Sequence, residues 1–305
     1  MAETIQRTTI QPAARTQAGS ANQWRTILRI ALYVVVALGA AASMLPFVWT
    51  FLSSGKSVNE LYRYPPTWWP EQMRFVENYI EIFNVVPFAR WLWNTALVTA
   101  LALLGAVLSA TIVAYGFVRF RFPGRDFFFF VTLATLMLPT EVTLIPTYLL
   151  FKNFKWIDTY YPLIVPAWFG GGAFNIFLMR QFMLSIPHDL DEAAKIDGAS
   201  SWRILWQIIV PLCKPAIATL ATLGFIANWN NFLGPLIFLN TESKYTVAVG
   251  LRYFQSAVAQ GSAVARPQDH LLMGAALLVA LPCLILFFIG QKYFVQGIVT
   301  TGIKG

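Results

Sequence analysis

A chain of 305 residues in which 57% are hydrophobic and 12% charged carries about half the charge of an average soluble domain, and its mean hydropathy of +0.58 places it in the membrane class. Its net charge of +8 is dispersed, with no basic stripe interleaved with aromatics, which argues against a nucleic-acid interface. Cys213 and Cys283 lie far apart and His188 and His270 stand alone, so the chain offers no disulfide framework, metal cluster or Ser/His/Asp triad.

Residues 1–24 are rich in Gln, Thr, Ala and Ser and read as a flexible cytoplasmic tail. Arg25 and Arg29 then precede an apolar run from Ile30 to Phe51, which starts too late and runs too long for a signal peptide and is expected to be a retained first span. About 20 mostly apolar residues cross a bilayer as a helix. Six stretches meet that length, roughly 27–52, 91–116, 127–151, 161–183, 216–239 and 271–290. Three of them carry interruptions: Pro139, Glu141 and Pro146 in the third, Gly170 to Gly172 in the fourth, and Asn228, Asn230 and Asn231 in the fifth.

Orientation follows the Lys/Arg bias of the flanks. With the N-terminus inside, the inner segments hold 13 Lys and Arg and the outer ones 9, so both termini are expected in the cytoplasm. The longest outer segment, about 53–90, holds Tyr64-Pro65-Pro66, Trp68-Trp69-Pro70 and a helical piece near 76–83, and its aromatic rings suit the membrane interface better than a partner. Gly55-Lys56-Ser57 resembles the end of a phosphate-binding loop, but Thr50 stands where that loop needs its first glycine and no strand precedes it. Arg119, Arg121 and Arg125 flank Phe122-Pro123-Gly124 and are expected to set topology and meet lipid headgroups.

Polar groups inside spans are costly and therefore informative. Glu141 either lines a path near the outer end of its span or serves the Pro139/Pro146 break. Asn228, Asn230 and Asn231 offer amides to a sugar's hydroxyls, although hydrogen bonding between helices or subunits is the favoured expectation. The three glycines mark either an unwound segment beside a cavity or a close packing site.

The polar insert SIPHDLDEAAKIDGASSWRILWQIIVP, residues 185–211, departs from this apolar pattern. Asp189 followed by Glu192 has the spacing of a capping box, which predicts a short helix over about 190–197. Gly198 is placed to end that helix in the left-handed conformation, and Ser200 or Ser201 to cap a second one running from Trp202 to about Ile209. Pro211 is expected to stop this second helix and Pro215 to open the next span. Trp202, Leu205, Trp206 and Ile209 form one apolar face, and small Ala193 and Ala194 let another surface approach.

Glu192-Ala193-Ala194, Gly198, Ile208 and Pro211 resemble the EAA loop of ABC importer permeases in both residue type and spacing, with Val210 where that pattern usually has Leu. Ile186-Pro187, Ile196-Asp197-Gly198-Ala199, Trp229-Asn230-Asn231-Phe232 and the stretch Gln291-Lys292-Tyr293-Phe294-Val295-Gln296-Gly297 through Lys304-Gly305 are similar to carbohydrate-uptake permeases of the maltose/glycerol-phosphate type, in particular to their second, six-span subunit. The likeness covers about residues 25–305. It implies an all-α membrane protein of type I ABC importer permease fold, made of a 1–24 tail and a 25–305 permease domain with a coupling loop at 185–215. It further implies a second homologous permease, a cytoplasmic ATPase dimer that binds the ATP and Mg this chain does not, an external solute-binding protein and a carbohydrate substrate. Glu192, Ala193, Ala194, Lys195, Asp197 and Gly198 are then the expected ATPase-coupling residues, with Glu192 either capping its helix or also meeting the ATPase. The chain itself is expected to catalyse nothing. The rival from another class is a stand-alone secondary transporter or channel, which calls for ionisable groups inside several spans where only Glu141 is found.

Overall fold

A computed structural model describes residues 18–259 and 268–302; the expected tail over 1–24 lies largely outside them, as do residues 303–305. Every described element is helical: α1 (Ala18–Ser54), α2 (Val58–Leu61), α3 (Phe75–Val85), α4 (Phe88–Arg119), α5 (Arg125–Ala134), α6 (Thr140–Asn153), α7 (Tyr161–Ile164), α8 (Ala173–Leu184), α9 (Asp189–Ile196), α10 (Ser201–Ile204), α11 (Val210–Leu212), α12 (Lys214–Trp229), α13 (Leu233–Phe238), α14 (Val247–Ala259) and α15 (Asp269–Gly302). The contacts divide the chain into Met1–Leu52 and Ser53–Gly305. The first unit holds the greater part of α1, and from Trp24 to Phe51 its side chains are exposed or half-buried and mostly apolar, as a helix solvated by lipid requires.

Four segments are long and apolar enough to cross a membrane as helices: Trp24–Ser54, Phe88–Arg119, Tyr161–Leu184 and Asp269–Gln291. Two bent pairs raise the number to six if each is one span: Arg125–Met137 with Glu141–Asn153, bent by 103°, and Ser201–Leu212 with Lys214–Trp229, bent by 75°. The third expected span is therefore sharply broken, where Pro139 takes an extended conformation ahead of α6. The fifth, expected as 216–239, is divided: α12 ends at Trp229, the chain turns through the asparagines, and α13 resumes at Leu233.

Within the second unit α4 is the central helix. One face is built of small residues, Ala102, Gly105, Ala106, Ser109 and Ala110, which recur at three- and four-residue spacing and let neighbours come close. Trp168 lies over Gly105, where a Cβ would sit 2.4 Å from its ring, and Ser109 donates to the Ala167 carbonyl at 3.0 Å. Gly170, Gly171 and Gly172 all have positive φ, at +90°, +67° and +89°, so the fourth span is unwound between α7 and α8. Gly171 also packs: a Cβ there would lie 2.3 Å from the Ala106 carbonyl oxygen. The glycine run is thus unwound, and at Gly171 it is also a close-packing site.

Two buried clusters lie at opposite ends of α4, about 40 Å apart at 1.5 Å per residue. The first joins Phe88 and Trp91 to Ile82, Val247, Phe254 and Leu271. The second joins Ala114, Tyr115 and Val118 to Met179 and Met183 of α8 and to the polar insert through Ala194, Ile204, Leu205 and Ile209. Near the Phe88 end, the segment 53–75 is a polar cap. Buried Lys56 donates to the Thr67 carbonyl, Ser57 caps α2, and Asn78 donates to the Ser54 and Lys56 carbonyls at 2.8 and 3.0 Å. Gly55-Lys56-Ser57 is thereby accounted for as a turn and cap. Trp68 and Trp69 remain exposed, as interfacial rings would be.

Candidate functional site

The polar insert folds into two short helices on a rigid base. The first, α9, ends in a Schellman motif: the Ala199 amide donates to the Ala194 carbonyl at 2.9 Å and the Gly198 amide to that of Lys195 at 3.0 Å. Gly198 takes φ +78°, and nothing lies within 4 Å of where its Cβ would be. Ser200 then accepts a hydrogen bond from the Arg203 amide at 3.4 Å and caps α10. The turn and the second cap are those the sequence predicts.

The capping box is not formed. The helix starts one residue sooner than expected, with His188 at the N-cap in the right-handed helical region and no side-chain cap. Asp189 is consequently already helical, and its carboxylate cannot accept from the third amide as an extended N-cap residue does. Glu192 is left exposed with no part in a cap. Ala193, Lys195, Asp197 and Gly198 are exposed with it, whereas Ala194 is only 8% exposed and packs into the chain's own core. Its small size therefore serves the approach of α9 to its own protein, and Ala193 alone keeps the outward role expected of both.

The second helix also departs from expectation. Leu205–Ile209 forms a π-helical turn, and Pro211 does not stop the chain but sits in α11, which runs on to Leu212. Proline has no amide to donate to the preceding turn, and the widened turn accommodates the lost bond. The expected apolar face is divided between core and surface. Leu205 and Ile209 are buried at 2% and 0% exposure, while Trp202 and Trp206 point outward at 60% and 40%. Pro215 opens α12 as expected.

Arg119 holds the insert in place, and this corrects its reading as a surface charge. The last residue of α4, it extends its guanidinium under the insert: Nε lies 2.5 Å from Asp191 Oδ2, one terminal nitrogen donates to the Ile186 carbonyl at 3.2 Å, and the other faces the His188 ring at 3.2–3.3 Å. The two side chains are 4% and 7% exposed. An acid three residues into a helix also suits the positive end of the helix dipole. Sequence reasoning passed over Asp191, whose partner lies 72 residues away; the one available signal was a third acid in the first turn beside two that sufficed for a box.

The candidate path residues sit at the two breaks. Glu141 is exposed in the first turn of α6. Asn228 and Asn230 donate to their own helix, to the Gly224 and Ile226 carbonyls at 2.8 Å each, and Asn231 accepts from the Gly234 amide at 3.2 Å. Among the described residues the expected bonding between helices is seen only as a 3.7 Å contact from Asn230 to Cys283 Sγ, because the amides bond back to carbonyls one turn earlier in their own helix. The described contacts do not bring Glu141 to the asparagines. They join the two broken helices elsewhere, with Phe238 of α13 stacked on Tyr148 and edge-on to Phe151 of α6, centroids 6.3 and 5.5 Å apart.

Beyond that aromatic contact, Asp158 clasps the loop between α13 and α14. It accepts from the amides of Asn240 and Thr241 at 3.0 Å each, from the Thr241 hydroxyl at 2.6 Å and from Lys244 Nζ at 2.7 Å. Burial alone would raise its pKa, but the bonds from Lys244, Thr241 and the two amides outweigh it and hold the carboxyl well below the usual range.

Residues 102–300 match the model of the family described as the binding-protein-dependent transport system inner membrane component. The sn-glycerol-3-phosphate transport system permease protein UgpE of Brucella abortus (strain 2308) is 34% identical over 284 residues, 91% of this chain and 98% of that protein. The probable ABC transporter permease protein YurM of Bacillus subtilis (strain 168) is 31% identical over 278 residues, 90% of this chain and 88% of its own. Among solved structures, a chain of a bacterial ABC transporter involved in the import of the acidic polysaccharide alginate superposes with a TM-score of 0.77 at 25% identity, covering 88% of this chain and 97% of that one.

Proposed function

We infer the role of this chain from one premise: it belongs to the family of binding-protein-dependent transport system inner membrane components. It is the membrane-spanning permease subunit of an ATP-driven ABC importer that moves a sugar or related polyol inward by alternating access. Its partners are a homologous permease, a cytoplasmic ABC ATPase dimer and an external solute-binding protein that delivers the substrate. ATP and Mg belong to the ATPase, so this chain performs no covalent chemistry. The Lys/Arg bias puts both termini and the 185–211 insert in the cytoplasm.

The observation that carries this reading is the form of the insert. A short helix anchored from beneath by Ala194 and Arg119 presents Glu192, Ala193, Lys195, Asp197 and Gly198 outward around one tight turn. A solvated loop needs no such foundation; a surface that takes load from a partner does. Glu192, free of any cap, is available to meet that partner. On the transport side, Glu141, Asn228, Asn230 and Asn231 stand at helix breaks, where irregular backbone within a membrane lines a cavity or a neighbouring subunit. A stand-alone transporter has no use for the insert and is set aside.

Uptake of a radiolabelled polyol or sugar into vesicles holding this chain, its permease partner and the co-expressed ATPase tests the proposal. Uptake is expected only with internal ATP and the ATPase present. Equal uptake from vesicles lacking the ATPase would refute it.

A further inference from the structure

We propose that the Arg119–Asp191 ion pair is the strut through which displacement of α9 is passed to α4, which makes the two residues positioning residues for transport. The proposal rests on the reading of α9 as the ATPase-docking helix.

Apart from this pair, the insert meets the rest of its unit through apolar contacts of Ala194, Ile204, Leu205 and Ile209 and through one long hydrogen bond, from the Tyr115 hydroxyl to the Ser201 carbonyl at 3.3 Å. Apolar contacts are non-directional and permit sliding. The guanidinium of Arg119 is different: it is planar and charged and meets the insert at three points, a charge contact with Asp191, a hydrogen bond to the Ile186 carbonyl and the facing His188 ring. Those points span the lead-in and the first turn of α9, so the end of α4 and the start of α9 are fixed in both distance and orientation.

A second, independent observation concerns the remaining route. Between the last turns of α4 and the second helix of the insert lies a half-open, largely apolar pocket of about 230 Å³, lined by Ile112, Tyr115, Gly116, Phe120, Ser201, Trp202 and Leu205. Nothing lies within 4 Å of where a Cβ of Gly116 would be. The packing of this second helix on α4 therefore leaves one side open, and its apolar contacts constrain direction less than a charged pair does. The ion pair has no such gap. A buried pair is also a poor device for stability alone, because desolvation offsets much of its attraction, whereas it does fix a register. From Arg119 the motion enters α4, whose small-residue face bears on the Gly171 turn.

The test compares the whole complex, with co-expressed ATPase, permease partner and binding protein, in vesicles for wild type, Arg119→Lys, the neutral pair Arg119→Gln/Asp191→Asn, and Gly198→Asp. Removing both charges together avoids leaving one buried alone and protects folding. The readout is substrate molecules imported per ATP hydrolysed, with ATPase retention after affinity purification. The neutral pair is expected to retain the ATPase and to lower that ratio about ten-fold, with Arg119→Lys recovering a substantial part of it. An unchanged ratio in the neutral pair would overturn the proposal. So would loss of the ATPase from that variant, since the pair would then only shape the docking surface. Gly198→Asp separates the two layers: if it leaves both ATPase retention and uptake normal, the docking reading itself has failed.

Discussion

Gly171 is the position at which the fold can be tested most sharply, because a neighbour supplies the control. Gly170 and Gly171 both have positive φ, +90° and +67°, so an alanine at either bears a left-handed strain of about 1–2 kcal/mol. Only at Gly171 does the added methyl collide. Its Cβ would lie 2.3 Å from the Ala106 oxygen and 2.8 Å from the Ala110 nitrogen, both backbone atoms of α4, whereas the space at Gly170 is open. Helix backbone cannot turn aside as a flexible side chain can, so the turn and α4 must separate by about an ångström, an overpacking cost of about 1–3 kcal/mol beyond the shared strain. Thermal unfolding in detergent, followed by loss of the monodisperse peak, should place Gly171→Ala several degrees below Gly170→Ala. Equal midpoints would refute the claim that α4 and the glycine turn meet backbone to backbone.

Further outcomes follow from the loops. Asp158→Asn should loosen the clasp on Asn240, Thr241 and Lys244 and lower the unfolding midpoint. Because the folded pKa lies below the unfolded value of about 3.9, the stabilisation is complete above that pH and fades as pH falls below it. The gap between wild type and Asp158→Asn should accordingly be constant from pH 5 to 8 and shrink below about pH 4; a gap that closes near neutrality would assign the clasp to another group. Ser200→Ala removes the cap of α10 and should cost about 0.5–1 kcal/mol, measured as a small fall in midpoint, with Ser200→Thr close to wild type. A full-sized loss in Ser200→Thr would show that the hydroxyl is not the agent.

How much the sequence discloses depends on the range of the interaction. Gly198, Ser200 and Pro215 were legible because turns, caps and first helical turns are decided by one or two residues. The breaks at Pro139 and at the glycine run were legible for the same reason. The capping box misled because spacing alone does not say which acid in a first turn finds the better partner; Asp191 turns toward a buried guanidinium while Asp189 is drawn into the helix. The face shared by two tryptophans and two aliphatic residues misled because spacing says which residues share a face and not how much of it the rest of the chain covers. Arg119 lay beyond reach: a charge beside a predicted cytoplasmic loop looks like a topology signal until the fold brings 119 and 191 together. The asparagines were rightly placed at a break, but their bonds are local, which no pattern of spacing distinguishes from bonds across a bundle.

The central claim, that the 185–211 insert is where a separate engine drives this chain, is tested most directly at Gly198. The backbone there is left-handed and its surroundings within the chain are open, so Asp, which tolerates that conformation better than most residues, should fold at a cost of about 1 kcal/mol. ATP-dependent uptake in vesicles with the co-expressed ATPase is the measurement. The account predicts that Gly198→Asp, present at wild-type amounts and correctly folded, loses most of that uptake because a charged side chain now stands on the docking surface. Uptake equal to wild type, at equal expression, would contradict it.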